Sequence, residues 1–185
     1  LGFPLLSTLA MTQVAASHGA VVVGLLPLAT ALFGCWLANE RPSRVFWMAT
    51  AVGSVTIAIF SLGPRLDSLH PADSLLLGAV IAAGFGYAEG ARLARELGAW
   101  QTICWALIAS IPLLVWPTYQ YFPQNVDVLT VSTFLAFGYV SIFSMFLGFF
   151  AWYKGLAMGG IARVGQLQLL QPFLTLAASA ALLSE

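Results

Sequence analysis

Charge is the scarcest commodity in this sequence. Only 8% of its 185 residues are Asp, Glu, Lys or Arg, where soluble domains carry about a quarter. Seven basic and seven acidic residues cannot cover a globule of this size, and 60% of the chain is hydrophobic. Lipid must therefore be the solvent for most of its surface. The formal net charge is zero, so the basic excess that nucleic-acid binding requires is missing. Cysteine and histidine number two each. Cys35 and Cys104 sit in apolar runs without a metal-ligand spacing and read as small buried hydrophobes. His18 and His70 have no Ser, Cys or paired-carboxylate partner at a recognisable spacing. No metal site, cofactor motif or catalytic set is present, so no enzyme is expected. No signal peptide is visible either.

Long apolar runs are what the chain has instead. They cover about 1–16, 20–38, 45–62, 75 to about 89, 99–116, 128–153 and 164–183. None alternates with the period of a strand, and helices are the only open element that satisfies lipid-exposed backbone. The expected fold is all-α, a polytopic membrane helix bundle of about seven transmembrane helices. The first run is short of the roughly 20 residues a bilayer core needs and reads as incomplete. The longest polar linker, 63–74, separates residues 1–62 from 75–185. Alternating spans put Arg41, Arg44, Arg92, Arg95, Lys154 and Arg163 on one side, against Arg65 alone on the other. The positive-inside rule makes the first set cytoplasmic.

An internal repeat crosses this pattern. Residues 25–40 and 170–185 share Leu25/Leu170, Pro27/Pro172, Thr30/Thr175, Leu37/Leu182 and Glu40/Glu185. The glutamate match carries the most weight, because the chain has only four glutamates. Both copies place a proline in an apolar run and a carboxylate at its end. Five helices apart, they run in opposite directions, which is the pattern of inverted repeats in secondary transporters.

The pieces "LLPLATALFGCWLANE" and "LLQPFLTLAASAALLSE", with the small-residue loops before them, resemble EamA-type transporters of the drug/metabolite transporter superfamily. The segment "GYAEGARLARELGAWQTICWALIASIP" resembles one bacterial subgroup. The resemblance implies ten helices in two inverted five-helix repeats, of which this chain covers about three to nine. Residues 1–62 would then close the first repeat, and 75–185 would open the second. Two further spans are expected before Leu1 and one after Glu185. The implied setting is a bacterial inner membrane, with a lipid bilayer and a small-molecule solute as partners. A homodimer is compatible with the pattern. The implied activity is export of small metabolites or amino-acid-like solutes by alternating access, without a cofactor. The alternative is a non-transporting membrane binding or assembly subunit.

Candidate cavity residues follow from polar groups inside the apolar runs. Glu89 lies about 21 Å along its span at 1.5 Å per residue, and an intramembrane carboxylate is a site candidate by default. The structural alternative is a pair with Arg92 at i,i+3 that reaches toward the cytoplasm. Gly78, Ala82, Gly86 and Gly90 form a small-residue stripe beside it, suited to close helix approach. Gln168, Gln171 and Thr175 share a face, and Pro172 frees the carbonyl of Gln168. These amides could meet a solute or tie helices together. Pro27 and Pro172 are expected helix kinks. Tyr87, Trp105, Tyr139 and Trp152 are aromatic candidates for a cavity lining. Trp100, Trp116, Tyr119, Tyr121 and Tyr153 fit the membrane-interface belts. Glu40 and Glu185 read as loop-capping or gating carboxylates.

Overall fold

The structure, a computed structural model, describes residues 1–14, 19, 22–62, 71–121, 130–171, 173 and 174. Eight α-helices are assigned there: α1 (Gly2–Met11), α2 (Leu26–Ala38), α3 (Arg44–Leu62), α4 (Ala72–Leu97), α5 (Ala99–Gln120), α6 (Val131–Tyr139), α7 (Phe149–Gly159) and α8 (Ile161–Gly165). A π-helical stretch, Val140–Gly148, joins α6 to α7, and a 3₁₀ turn, Gln166–Leu170, continues α8. No strand occurs among the described residues. The expected polytopic helix bundle is what the chain builds. His18, His70, Pro172, Thr175 and Glu185 lie outside the described residues.

Helix ends follow local chemistry. The Phe46 amide donates to Ser43 Oγ at 3.2 Å, capping the start of α3, and Thr130 does the same for α6 through the Thr133 amide. Asp73 stands in the first turn of α4 and Arg95 in its last, each matched to the helix dipole. The α4–α5 and α7–α8 junctions are single glycines, Gly98 at φ 95° and Gly160 at φ 90°, conformations that glycine adopts at no steric cost. The second junction is tighter than the expected 154–163 connection. Lys154 and Arg163 suggest a loop by their charge, but both are exposed on helices, where a long cationic side chain can reach the interface.

Among the described residues, three runs are long and apolar enough to cross a membrane: Ala72–Leu97, Ala99–Gln120 and Val131–Gly159. Along α5, Trp105, Ile108, Ile111, Val115 and Trp116 are exposed. A continuous apolar surface of that kind belongs against lipid. Trp105 and Tyr139 are exposed in the same way, while Tyr153 is buried.

The chain divides into two compact units, Leu1–Glu89 with Gly159–Glu185, and Gly90–Met158. In the first, Leu26, Val80 and Ala83 form a core joined by Phe3, Val22, Ala29 and Tyr87. Some small residues of α4 admit neighbours closely, though not every member of the Gly78, Ala82, Gly86 and Gly90 stripe. A Cβ at Gly78 would lie 3.3 Å from Leu6, and one at Gly84 would meet Ala29 and Thr30 of α2. Gly86 has nothing within 4 Å. In the second unit, Gly90 receives the Tyr153 ring, and Arg95 Nε donates to the Ala157 carbonyl at 3.1 Å near the end of α7.

Candidate functional site

Two interrupted helices meet in the first unit. Ahead of α2 the chain is helical at Val22–Val23, turns at Gly24–Leu25, and becomes helical again at Leu26. Pro27 therefore stands in the first turn of α2, where its missing N–H costs nothing. It is not in the middle of a continuous helix. The opposing segment is α8, which tightens into 3₁₀ geometry at Gln166. Gln166 Nε2 bridges the two irregular stretches, donating to the Pro27 carbonyl and to its own Ala162 carbonyl, each at 3.4 Å.

The contacts fix the direction of this pair. Glu40 meets Ile161, Gly34 meets Ile161 and Ala162, Thr30 meets Gly165, and Pro27 meets Gln166. Rising numbers on one segment pair with falling numbers on the other, so α2 and the 161–170 segment are antiparallel.

Glu40 closes one end. Asn39, with φ 51°, ends α2 in the left-handed region, which Asn tolerates better than most residues. The reversal aims Glu40 at the start of α8. Its Oε1 accepts the Ile161 amide at 2.7 Å and its Oε2 the Ala162 amide at 2.8 Å. The first amides of a helix have no intrahelical acceptor, and a carboxylate there also answers the helix dipole. The carboxylate thus caps a helix 121 positions away in sequence.

Deeper along the pair lies a seam of polar groups. A Cβ at Gly53 would lie 2.8 Å from Leu169 Cδ1, so this face of α3 packs on the 3₁₀ turn. Thr50 lies on that side of the helix at i−3 from Gly53, and Ser54 follows Thr50 one turn on. They are 1% and 3% exposed. Neither hydroxyl has a hydrogen-bond partner, nor do Gln166 Oε1 and both amide atoms of Gln168. Gln168 Nε2 sits 3.9 Å from the position a Gly165 Cβ would take, on the side turned to Thr30. A buried polar group left unsatisfied costs about 1–3 kcal/mol. Five such atoms on two contacting segments, α3 and 166–170, call for an explanation beyond packing.

The sequence candidates distribute unevenly. Gln168 belongs to this seam. Gln171 is exposed. Tyr87 packs in the α2–α4 core with Leu26, Val80 and Ala83. Glu89 is half-buried on α4, and in the neighbouring unit Arg92 Nη1 lies 3.8 Å from Glu96 Oε1. Sequence reasoning missed Thr50 and Ser54, because isolated hydroxyls are ordinary in membrane helices and nothing in the run 45–62 marks them. Among the described residues, no three His, Cys, Asp or Glu side chains cluster as metal ligands. Cys35 and Cys104 are free thiols.

Lipid-facing helices and a polar seam between interrupted, antiparallel segments define a multi-pass integral membrane protein. The chain belongs to the EamA-like transporter family, whose family model matches residues 70–185. It is 48% identical over all 185 residues to the "Uncharacterized transporter YdeK" of Bacillus subtilis (strain 168), and it spans 64% of that protein's length. No solved structure matches it.

Proposed function

We propose that the full-length protein is a secondary transporter, not an enzyme, that exports small metabolites or amino-acid-like solutes across the bacterial inner membrane by alternating access. The observation that carries this reading is the antiparallel contact between two interrupted helices, with unpartnered polar groups along it. Secondary transporters place their solute sites at broken helices near the midplane, where freed backbone and amide groups face the solute. Ser54 lies ten residues into α3 from Arg44, about 15 Å at 1.5 Å per residue, which is the middle of a core about 30 Å thick. In this reading Gln168 is the principal solute contact and the Glu40 cap is a gate at the cytoplasmic end. Tyr87 and Glu89 on α4 line the route toward it. Residues 1–62 and 75–185 belong to successive inverted repeats joined by 63–74.

The test is flux. Proteoliposomes carrying the full-length protein are loaded with a deproteinised cytosolic small-molecule extract, and solutes leaving them are followed by mass spectrometry. At least one solute should leave faster than from empty liposomes. Gln168→Leu should slow that solute about tenfold, the equivalent of one hydrogen bond to a buried site. Gln171→Leu, at an exposed position, should change it less than about twofold. No solute-dependent flux at normal incorporation would favour a non-transporting assembly subunit instead.

A further inference from the structure

Beyond a general role in transport, the chemistry of the seam restricts what it recognises. Thr50, Ser54, Gln166 and Gln168 contain no ionisable group. The unpartnered atoms are two hydroxyls, two amide oxygens and one amide nitrogen. Hydroxyls donate and accept, a carboxamide nitrogen only donates, and a carboxamide oxygen only accepts. A carboxylate would need donors alone and would face the oxygens of Gln166 and Gln168. An ammonium would need acceptors alone and would face the Gln168 nitrogen. Either ion would leave water for a buried site without a counter-charge, which is far more costly than moving a neutral polar group. Of the formal charges on these segments, Arg44 and Arg163 are exposed and Glu40 is held by two backbone amides.

We propose that Thr50, Ser54, Gln166 and Gln168 form a recognition site for an uncharged group that both donates and accepts hydrogen bonds, a carboxamide or hydroxyl-bearing part of the solute, and that the site itself excludes charged groups, so that an amino-acid-like solute would meet it through an uncharged side chain. This rests on the transport reading above. A mixed set of donors and acceptors matches the two edges of a carboxamide, and a hydroxyl can satisfy either kind of partner. Thr50 and Ser54 are one turn apart on α3, so they present two rotatable hydroxyls along one line. Gln166 is already tethered through its nitrogen to the Pro27 carbonyl, which directs its oxygen as a fixed acceptor.

The experiment needs no knowledge of the natural solute. Ser54→Cys is made in the full-length protein with Cys35→Ala and Cys104→Ala, and its thiol is titrated with three methanethiosulfonates of similar size. One carries a neutral hydroxyethyl group, one a sulfonate and one a trimethylammonium. Each rate is divided by that reagent's rate with free mercaptoethanol. Ala51→Cys, at an exposed position on the same helix, reports the lipid-facing background. Thr50→Cys is the second probe should Ser54→Cys fold poorly, as judged by monodisperse elution from a sizing column. The site predicts a normalised rate at least about tenfold higher for the neutral reagent than for either ion, and well above the Ala51→Cys background. Rates equal to that background for all three reagents would show a dry, packed seam and overturn the proposal. Equal or faster reaction with a charged reagent would overturn the discrimination against ions. Neither result depends on flux, so a protein that transports but fails this test refutes the site alone.

Discussion

Replacing Glu40 by Gln should destabilise the full-length protein more than any other single-atom change in the first unit. The carboxylate accepts one backbone amide on each oxygen, from Ile161 and Ala162. A carboxamide of the same shape has one oxygen and one NH₂, so it sets a donor against one of those two N–H groups. Hydrogen bonds to charged groups contribute about 1.5–3 kcal/mol each, and the amide left behind pays its desolvation as well. A fall of about 5 °C or more in the melting temperature of the purified protein is expected. Glu40→Asp should lie between wild type and Glu40→Gln, because a side chain one methylene shorter cannot reach both amides. Glu96→Gln is the control, its carboxylate being 62% exposed beside Arg92, and it should leave the melting temperature unchanged within about 1 °C. A Glu40→Gln protein as stable as the Glu96→Gln control would mean that the cap contributes nothing to the fold.

The second large effect concerns Gly84. An added Cβ there would lie 2.9 Å from Ala29 Cβ, 3.0 Å from the Ala29 carbonyl carbon and 3.1 Å from the Thr30 amide nitrogen. Two of these three neighbours are backbone and cannot rotate away, so α2 and α4 would have to separate. Overpacking costs about 1–3 kcal/mol per modest insertion, and a separation would also loosen the Leu26–Val80–Ala83 core. Gly84→Ala should lower the melting temperature measurably, and Gly84→Leu should remove most of the monodisperse protein from a sizing column. Gly86→Ala, two residues on with nothing within 4 Å, should elute as wild type. If Gly84→Leu eluted like Gly86→Ala, the close approach of α2 and α4 would be absent from the protein in its membrane.

How much of this could be read from the chain depends on the kind of interaction. The helical membrane class follows from composition and the absence of strand periodicity, because lipid leaves few solutions for the backbone. Glu40 stands out through its match with Glu185, and its capping role is visible in the contact with Ile161 and Ala162. The partner was hidden, since nothing local ties residue 40 to residues 161 and 162. Lys154 and Arg163 misdirected the helix boundary because charge marks loops in water but not where a long side chain reaches the interface. Tyr153 resembled a belt residue, yet it is buried against Gly90, and only the small residue opposite explains that. Pro27 marks an irregularity locally, but not that it opens a helix, and the 3₁₀ turn at Gln166 lies outside the expected kinks. Thr50 and Ser54 matter only through what Gly53 lets approach, and that is tertiary information.

The central claim is that this pair of interrupted segments opens and closes in a transport cycle. It is tested most directly by the distance between spin labels at Trp36 and Arg163, both exposed, in the full-length protein in lipid. With the Glu40 cap made, these positions sit on two segments held together at Ile161 and Ala162. Alternating access predicts two distance populations in the wild type, with the longer one enriched in Glu40→Gln. A single narrow distance, unchanged by Glu40→Gln, would contradict the account.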